Sequence, residues 1–252
     1  MKKLFLDIEL APNLATVWGI WNQNIGINQL HETARMLCFA AKWEGSPKVI
    51  FYSEYKHGRE KMLEALWELL NEADAVIHYN GRKFDVPHIN REFLEDEYLP
   101  PDPYQQIDLL KTVKKEFRFV SNKLNHVTQE LGIGKKIEHE GHQLWLDCMD
   151  GKPKAWAKME KYNKQDVVLL EELYAWLRPW IKDHPNHALF TDMKKPTCTN
   201  CGSTNVVKKG LAHTNTMSYQ RYRCNDCGTP LRGRVNVLKN EQRENVLTQE
   251  KI

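Results

Sequence analysis

The chain has 252 residues, 41% of them apolar and 10% aromatic, which suits one large domain, or one domain with a small module beside it, around a true core. No run of 18 apolar residues occurs, which argues against a membrane span. Asp7 and Glu9 break the apolar N-terminus too early for a signal peptide, so the expectation is a cytoplasmic protein with no membrane contact. The net charge of +3 conceals a division: residues 194–252 carry 11 Lys/Arg against 4 Asp/Glu, a net of +7, which leaves −4 on residues 1–193. An acidic body suits cations and a basic tail suits a polyanion, while a tail that merely keeps the chain soluble is the plainer reading.

Residues 3–10 predict a strand. Within it Asp7 and Glu9 stand two apart, so strand alternation puts both on the face opposite Leu6, Ile8 and Leu10. Like charges that close are unfavourable unless neutralised. A hard divalent cation is one answer and a solvated acidic edge the other, and this stretch leaves both open. Residues 35–43 and 48–54 predict two further strands about a turn at Glu44-Gly45-Ser46-Pro47, antiparallel with the first. Met62, Leu63, Leu66, Leu69 and Leu70 recur at helical spacing and predict a helix over 59–72. A short apolar strand follows at 73–79, then a helix over 86–95 with Pro87 in its first turn. Ile107-Asp108-Leu109-Leu110 starts a strand or a helix, 122–131 predicts a helix stopped at Gly132, and 155–177 a longer one. Pro179 and His184-Pro185-Asn186 close the body, and Lys194-Lys195-Pro196 reads as a linker. The expected division is a body over 1–193, a cysteine module over 194–235, and a polar tail over 236–252 with the composition of a disordered segment. Strands first, then helices alternating with strands, give an α/β fold with a mixed sheet flanked by helices.

Two further motifs bear on Asp7 and Glu9. Tyr79-Asn80-Gly81-Arg82-Lys83-Phe84-Asp85 ends a strand and delivers an Asp at a helix start, where Asp is ordinarily a cap. Tyr162 and Asp166 stand four apart on one helix face, beside apolar Val167, Leu170 and Leu173. A buried Asp needs a partner, and a surface Tyr–Asp pair is the alternative. In order, Asp-x-Glu, Asn-x-x-x-Phe-Asp and Tyr-x-x-x-Asp resemble the DEDD superfamily of 3′–5′ exonucleases over roughly residues 1–180, a superfamily with a ribonuclease-H-like fold. Its histidine-bearing subgroup has His five residues before the last Asp. Lys161 stands there, and Tyr162 four before, which favours the tyrosine-bearing subgroup. Leu10 departs from the pattern, since many members carry Thr.

The resemblance implies a metal-dependent 3′–5′ exonuclease hydrolysing nucleic acid, DNA favoured, to nucleoside 5′-monophosphates, with two Mg²⁺ or Mn²⁺ ions about 4 Å apart. By carry-over Asp7 bridges the ions, Glu9 and Asp166 complete the first, Asp85 holds the second, and Tyr162 orients the attacking water. Asn80 and Phe84 are substrate-binding candidates: Asn80 by contact or by shaping its turn, Phe84 as packing ahead of a base-stacking platform. Asp108 reads as structural, and Glu138-His139-Glu140-Gly141-His142 as a solvated loop. A catalytically silent nucleic-acid-binding module and a structure-selective endonuclease on the same fold are the competing functions.

Cys198-x-x-Cys201-Gly202 and Cys224-x-x-Cys227-Gly228, with 22 residues between, form paired knuckles suited to one structural Zn²⁺, each Gly permitting the tight turn. Disulfides do not suit a cytosolic chain. The wider segment resembles zinc ribbons of insertion-element proteins, which implies DNA binding. Lys208, Lys209, Arg221 and Arg223, interleaved with Tyr219 and Tyr222 and followed by Arg232 and Arg234, are the candidate contacts; contact with protein is the alternative. The expected partner is nucleic acid, as single strands or 3′ ends, with a replication or repair protein also conceivable. Cys38 and Cys148 read as buried thiols.

Overall fold

The computed structural model describes residues 1–250. The chain divides into two units, Met1–Tyr174 and Ala175–Ile252. In chain order the elements of the first are β1 (Lys3–Leu10), a small ribbon of β2 (Leu14–Ala15) and β3 (Leu30–Glu32), β4 (Met36–Trp43), β5 (Ile50–Ser53), α1 (Glu54–His57), α2 (Arg59–Glu72), β6 (Ala75–His78), α3 (Asp85–Glu95), β7 (Gln105–Asp108), α4 (Leu109–Glu116), α5 (Leu124–Glu130), α6 (His142–Met149) and α7 (Pro153–Leu177).

One mixed sheet carries the first unit. Its order is β5-β4-β1-β6-β7, with β1 antiparallel to β4 and parallel to β6. Alternation along β1 sends Leu4, Leu6 and Ile8 into a core shared with Phe39, Met62, Leu66, Val76 and Ile89. Each such side chain stabilises by about 2 kcal/mol on burial, so the register of β1 is fixed and Asp7 and Glu9 are turned to the opposite face. The pairing of β1 with β4 shifts just after Glu9, where Leu10 meets Met36 and Leu37 is left over. A bulge of this kind bends the strand and re-aims side chains beside it.

Three short elements differ from the sequence reading. Helix α1 follows β5 directly, started by the Ser53 hydroxyl accepting from Lys56 N at 3.2 Å. The stretch at 107–110 is both strand end and helix start: Asp108 closes β7 and its carboxylate accepts from Leu110 N at 3.0 Å, the structural role expected of it. Helix α6 occupies a stretch with no sustained helical period, and Cys148 near its end accepts from Trp156 Nε1 at 2.8 Å.

The second unit holds an antiparallel sheet, β8 (Val206–His213), β9 (Ser218–Cys224) and β10 (Pro230–Asn236), in the order β10-β9-β8. It begins at Ala175, earlier than residue 194, because the turns after α7 bind to the cysteine knuckles. Asn200 Nδ2 donates to Arg178 O at 2.9 Å and His187 N to Thr199 O at 2.6 Å. Within the stretch read as a polar tail, Asn240–Glu244 form a short helix, α8.

Helix α3 is tied down by Glu92. This wholly buried carboxylate accepts from Met36 N at 2.9 Å, pairs with Arg91 at 2.7 Å, and also meets Arg59. Glu92→Ala leaves that buried amide without its acceptor and takes one carboxylate from Arg59 and Arg91, which keep Asp96 and Glu95, and should cost about 3 kcal/mol in urea unfolding. Glu92→Gln, which can still accept from Met36 N, should recover part of it. An unchanged unfolding midpoint in Glu92→Ala would refute the tie.

Candidate active site

Asp7 and Glu9 leave β1 on the face away from the core, and Asp166 approaches them from α7. Oxygen atoms of the three carboxylates lie within 4.8 Å of one another. Asp85 is the first residue of α3, delivered by the turn after β6. Its carboxylate accepts from Ile8 N at 3.3 Å, on the backbone between Asp7 and Glu9, instead of capping its own helix as Asp at a helix start ordinarily does. β1 and β6 run parallel, so both deliver acidic groups at the same edge of the sheet.

Three side chains hold this arrangement, and none of them was singled out by sequence. Asn163, fully buried on α7, donates from Nδ2 to Asp7 Oδ2 at 2.7 Å and to Asp7 O at 3.3 Å. Trp145 on α6 stands by Glu9 and favours its charged form. Lys136 lies 2.5 Å from Asp166 Oδ2, and its Nζ donates to the Tyr162 hydroxyl at 3.1 Å. His139 is also at the site, its ring edge-on to Tyr162 at 4.8 Å and to Trp145 at 5.0 Å. The run from Glu138 to His142 is therefore not simply a solvated loop, because the aromatic cluster captures His139.

The carboxylates are electrostatically costly. Burial, then the charges of Asp166, Glu9 and Asp85, push the Asp7 carboxyl well above the usual range. Burial and Asp166 push Glu9 up to about 8. Burial raises Asp85 to about 6, against the opposing hydrogen bond from Ile8. Asp166 is also raised, by burial, although Lys136 draws it down. Buried Asp166 Oδ1 has no hydrogen-bond partner. A hard divalent cation satisfies every one of these features, since it binds carboxylate oxygen, cancels the repulsion and engages the orphaned atom. The residues present fit such ions.

A family model described as RNase H superfamily matches residues 4–178. The chain belongs to the RNase H superfamily. Among solved structures, it is similar to the family B DNA polymerase from the hyperthermophilic archaeon Pyrobaculum calidifontis, with a TM-score of 0.54 and 16% identity over 71% of this chain and 24% of that one. That likeness is one of fold, and the chain spans about a quarter of the polymerase's length. No curated protein matches. The mixed sheet and flanking helices are thus the RNase H-like nuclease fold.

The other substrate candidates fare differently. In the RNase H-like unit Asn80 has φ +71°, and its N donates to Asp108 Oδ1 at 3.0 Å, so it shapes the turn that delivers Asp85. Phe84 is 45% exposed and packs its ring edge-on to His88 at 4.9 Å. In the second unit, strand alternation separates what sequence interleaved. Tyr219, Arg221 and Arg223 share one face of β9, while Tyr222 faces the other, with Lys208 across from it. Arg232 stands directly opposite Arg221, its guanidinium 4.4 Å from the centre of the Tyr219 ring. Lys209 is exposed beside a register shift in β8.

The four cysteine thiols Cys198, Cys201, Cys224 and Cys227 cluster within 4.8 Å. The Sγ pairs Cys198–Cys227 and Cys201–Cys224 are each 3.6 Å apart, too far for a disulfide and near the edge, about 3.8 Å, of a tetrahedron with metal–sulfur bonds of about 2.3 Å. Gly202 and Gly228 have φ +75° and +73°, as the knuckle turns require. Cys38 and Cys148 are buried, with thiol pKa values pushed up by burial, in Cys148 to about 12. No described helix is long and apolar enough to cross a membrane.

The raised carboxylates set a sign for stability against pH. A group whose folded pKa exceeds its unfolded value makes the folded state hold more protons, so its stabilisation is complete below the unfolded pKa and is lost as pH rises through the folded one. Metal-free protein should therefore melt at progressively lower temperature from about pH 5 to about pH 8. Glu9, at about 8, contributes to the upper end. Adding Mn²⁺ at pH 8 should raise the melting temperature, and EDTA should reverse it. A metal-independent, pH-flat melting temperature would refute the charge argument.

Proposed function

We propose that the chain is a metal-dependent 3′–5′ exonuclease that hydrolyses nucleic acid, DNA by preference, to nucleoside 5′-monophosphates. The reading is carried by the convergence of Asp7, Glu9 and Asp166 within 4.8 Å around an unpartnered buried oxygen, with Asp85 held against the same stretch of β1. Asp7, Glu9, Asp166 and Asp85 would hold two Mg²⁺ or Mn²⁺ ions, which when bound supply an activated water and charge neutralisation at the scissile phosphate.

The chain's own groups do the positioning. Burial and the neighbouring Asp166 charge hold the Tyr162 phenol above its ordinary pKa, so it stays protonated at neutral pH. Its oxygen accepts from Lys136 and its own proton remains to be donated, which suits it to orient a water or a phosphate oxygen but not to act as a base. Asn163 fixes the direction in which Asp7 presents its oxygens. Exposed Phe84, one residue before Asp85, suits stacking against a terminal base. The polarity of digestion rests on the order and spacing of the three motifs, and the preference for DNA on the resemblance of the cysteine module to the zinc ribbons of insertion-element proteins.

The cysteine module would bind one structural Zn²⁺ and grip substrate. Arg221 and Arg232, directly opposed across β9 and β10, are a like-charge pair that an anion between them would relieve. With Arg223 and Tyr219 on the same face, a phosphate backbone is the fitting anion.

The decisive test is digestion of 5′- and 3′-labelled DNA and RNA, single- and double-stranded, with Mg²⁺ or Mn²⁺. A ladder from the 3′ end is expected, abolished in Asp7→Ala and in Asp166→Ala. Internal cuts on a 3′-blocked strand would make the enzyme an endonuclease, and metal-independent binding without cleavage would make it a binding module. Cys201→Ser should release zinc and weaken retention of long substrates while sparing cleavage of short ones. Loss of short-substrate cleavage in a folded RNase H-like unit would refute that division.

A further inference from the structure

A groove of about 340 Å³ runs between the turn after β6 and helix α4. Arg82 and Lys83 line it from the turn, and Lys111, Lys114 and Lys115 from the helix. The three helix lysines are spaced i, i+3 and i+4, so they share one helix face, where like charges cost stability. The one carboxylate in the lining, Asp108, is already engaged, its Oδ1 accepting from Asn80 N and Leu110 N at 3.0 Å each.

This concentration is not the habit of the surrounding surface. Residues 1–193 carry a net charge of −4. In the same unit Lys2, Lys3, Lys42, Lys56, Lys152 and Lys158 each reach a carboxylate. Among the described residues no carboxylate pairs with Lys83, Lys114 or Lys115, and all three are exposed. Arg82 is steadied by donating from Nη2 to Gln106 O at 3.4 Å. The groove is also continuous with the acidic cage in the chain: Asn80 lines it, and the same turn runs through Phe84 to Asp85.

We propose that this groove is a second subsite for the sugar-phosphate backbone, carrying phosphates of the substrate strand on its way to the carboxylates. The inference rests on the nuclease reading for its substrate and names where that substrate is held. Cations lining a concavity compensate a linear polyanion, and the gain is released counterions. The groove would make affinity depend on substrate length, while the carboxylates would treat short and long strands alike.

The test uses the full chain carrying Lys114→Gln and Lys115→Gln, exposed positions where the change leaves the fold intact, beside a control with Lys48→Gln and Lys61→Gln elsewhere on the unit. Binding of a fluorescent single-stranded 20-mer is measured by anisotropy across a salt series, and cleavage is followed for the 20-mer and for a dinucleotide. The groove variant should bind the 20-mer about tenfold more weakly, with a salt slope lower by about 1.4. Its KM for the 20-mer should rise with kcat unchanged, and dinucleotide cleavage should match the wild type. Affinity and slope equal to the wild type, or equal losses in the control, would overturn the subsite. If no variant cleaves any strand, the nuclease reading fails, but the salt slope still decides the groove.

Discussion

The burial of four carboxylates beside one another is the constraint on which the rest of the first unit depends. Four acidic side chains from three separate segments meet where water is scarce, and burial is the first cause of every upward pKa shift among them. Left alone they would separate or take up protons. They are held by groups that cannot move away: Ile8 N in the middle of β1, Asn163 buried on α7, and Lys136 bonded to both Asp166 and Tyr162. The strain is local, and the hydrophobic core on the far face of the sheet sustains it.

The topology is the means of delivery. A central strand with an antiparallel neighbour on one side and a parallel one on the other brings the end of β1 and the end of β6 to one edge. Ligand sites in open α/β sheets gather at such strand ends. The bulge after Glu9 and the left-handed Asn80 sit at that edge, one on each strand's exit, and both turn the chain to present an acid. Glu92 then keeps α3 against β4, so Asp85 is not free to drift with its helix.

How much of this could be read from the sequence divides along physical lines. Alternation placed Asp7 and Glu9 on one face because β1 is long and its other face is apolar, and helical spacing put Tyr162 and Asp166 together for the same reason. The cysteine knuckles were legible because metal spacing is a local property. Lys136 was not, since it lies in a loop and its partners are 26 and 30 residues away. Asn163 lay inside a motif, but its role depends on a strand 156 residues earlier. Helices α1 and α6 are too short to display a period. Tyr219 and Tyr222 show the reverse error: adjacency with arginines suggested one surface, and the pleat of β9 puts them on two.

The two candidate metal sites stand in opposite relation to folding. The RNase H-like unit has a large apolar core, so its acidic cage is a burden that a folded domain can carry, and cations there would relieve it. Among the described residues the second unit buries fewer large apolar side chains, Leu177 and Ile181 among them. Around the knuckles the buried side chains are Cys198, Cys224, Asn200, Ser218 and Thr229, mostly polar and small, while Val207, Leu211, Met217, Val235 and Val237 on or beside its strands stay exposed. The knuckles and their strands bury little apolar surface of their own to offset their chain entropy. Ligation of a structural metal by four thiolates, with apparent binding energies of about 10–16 kcal/mol, can do so. Cations at the acidic end would therefore sit on a fold that stands without them, whereas a metal at the cysteine end would help to order the strands that carry the basic residues.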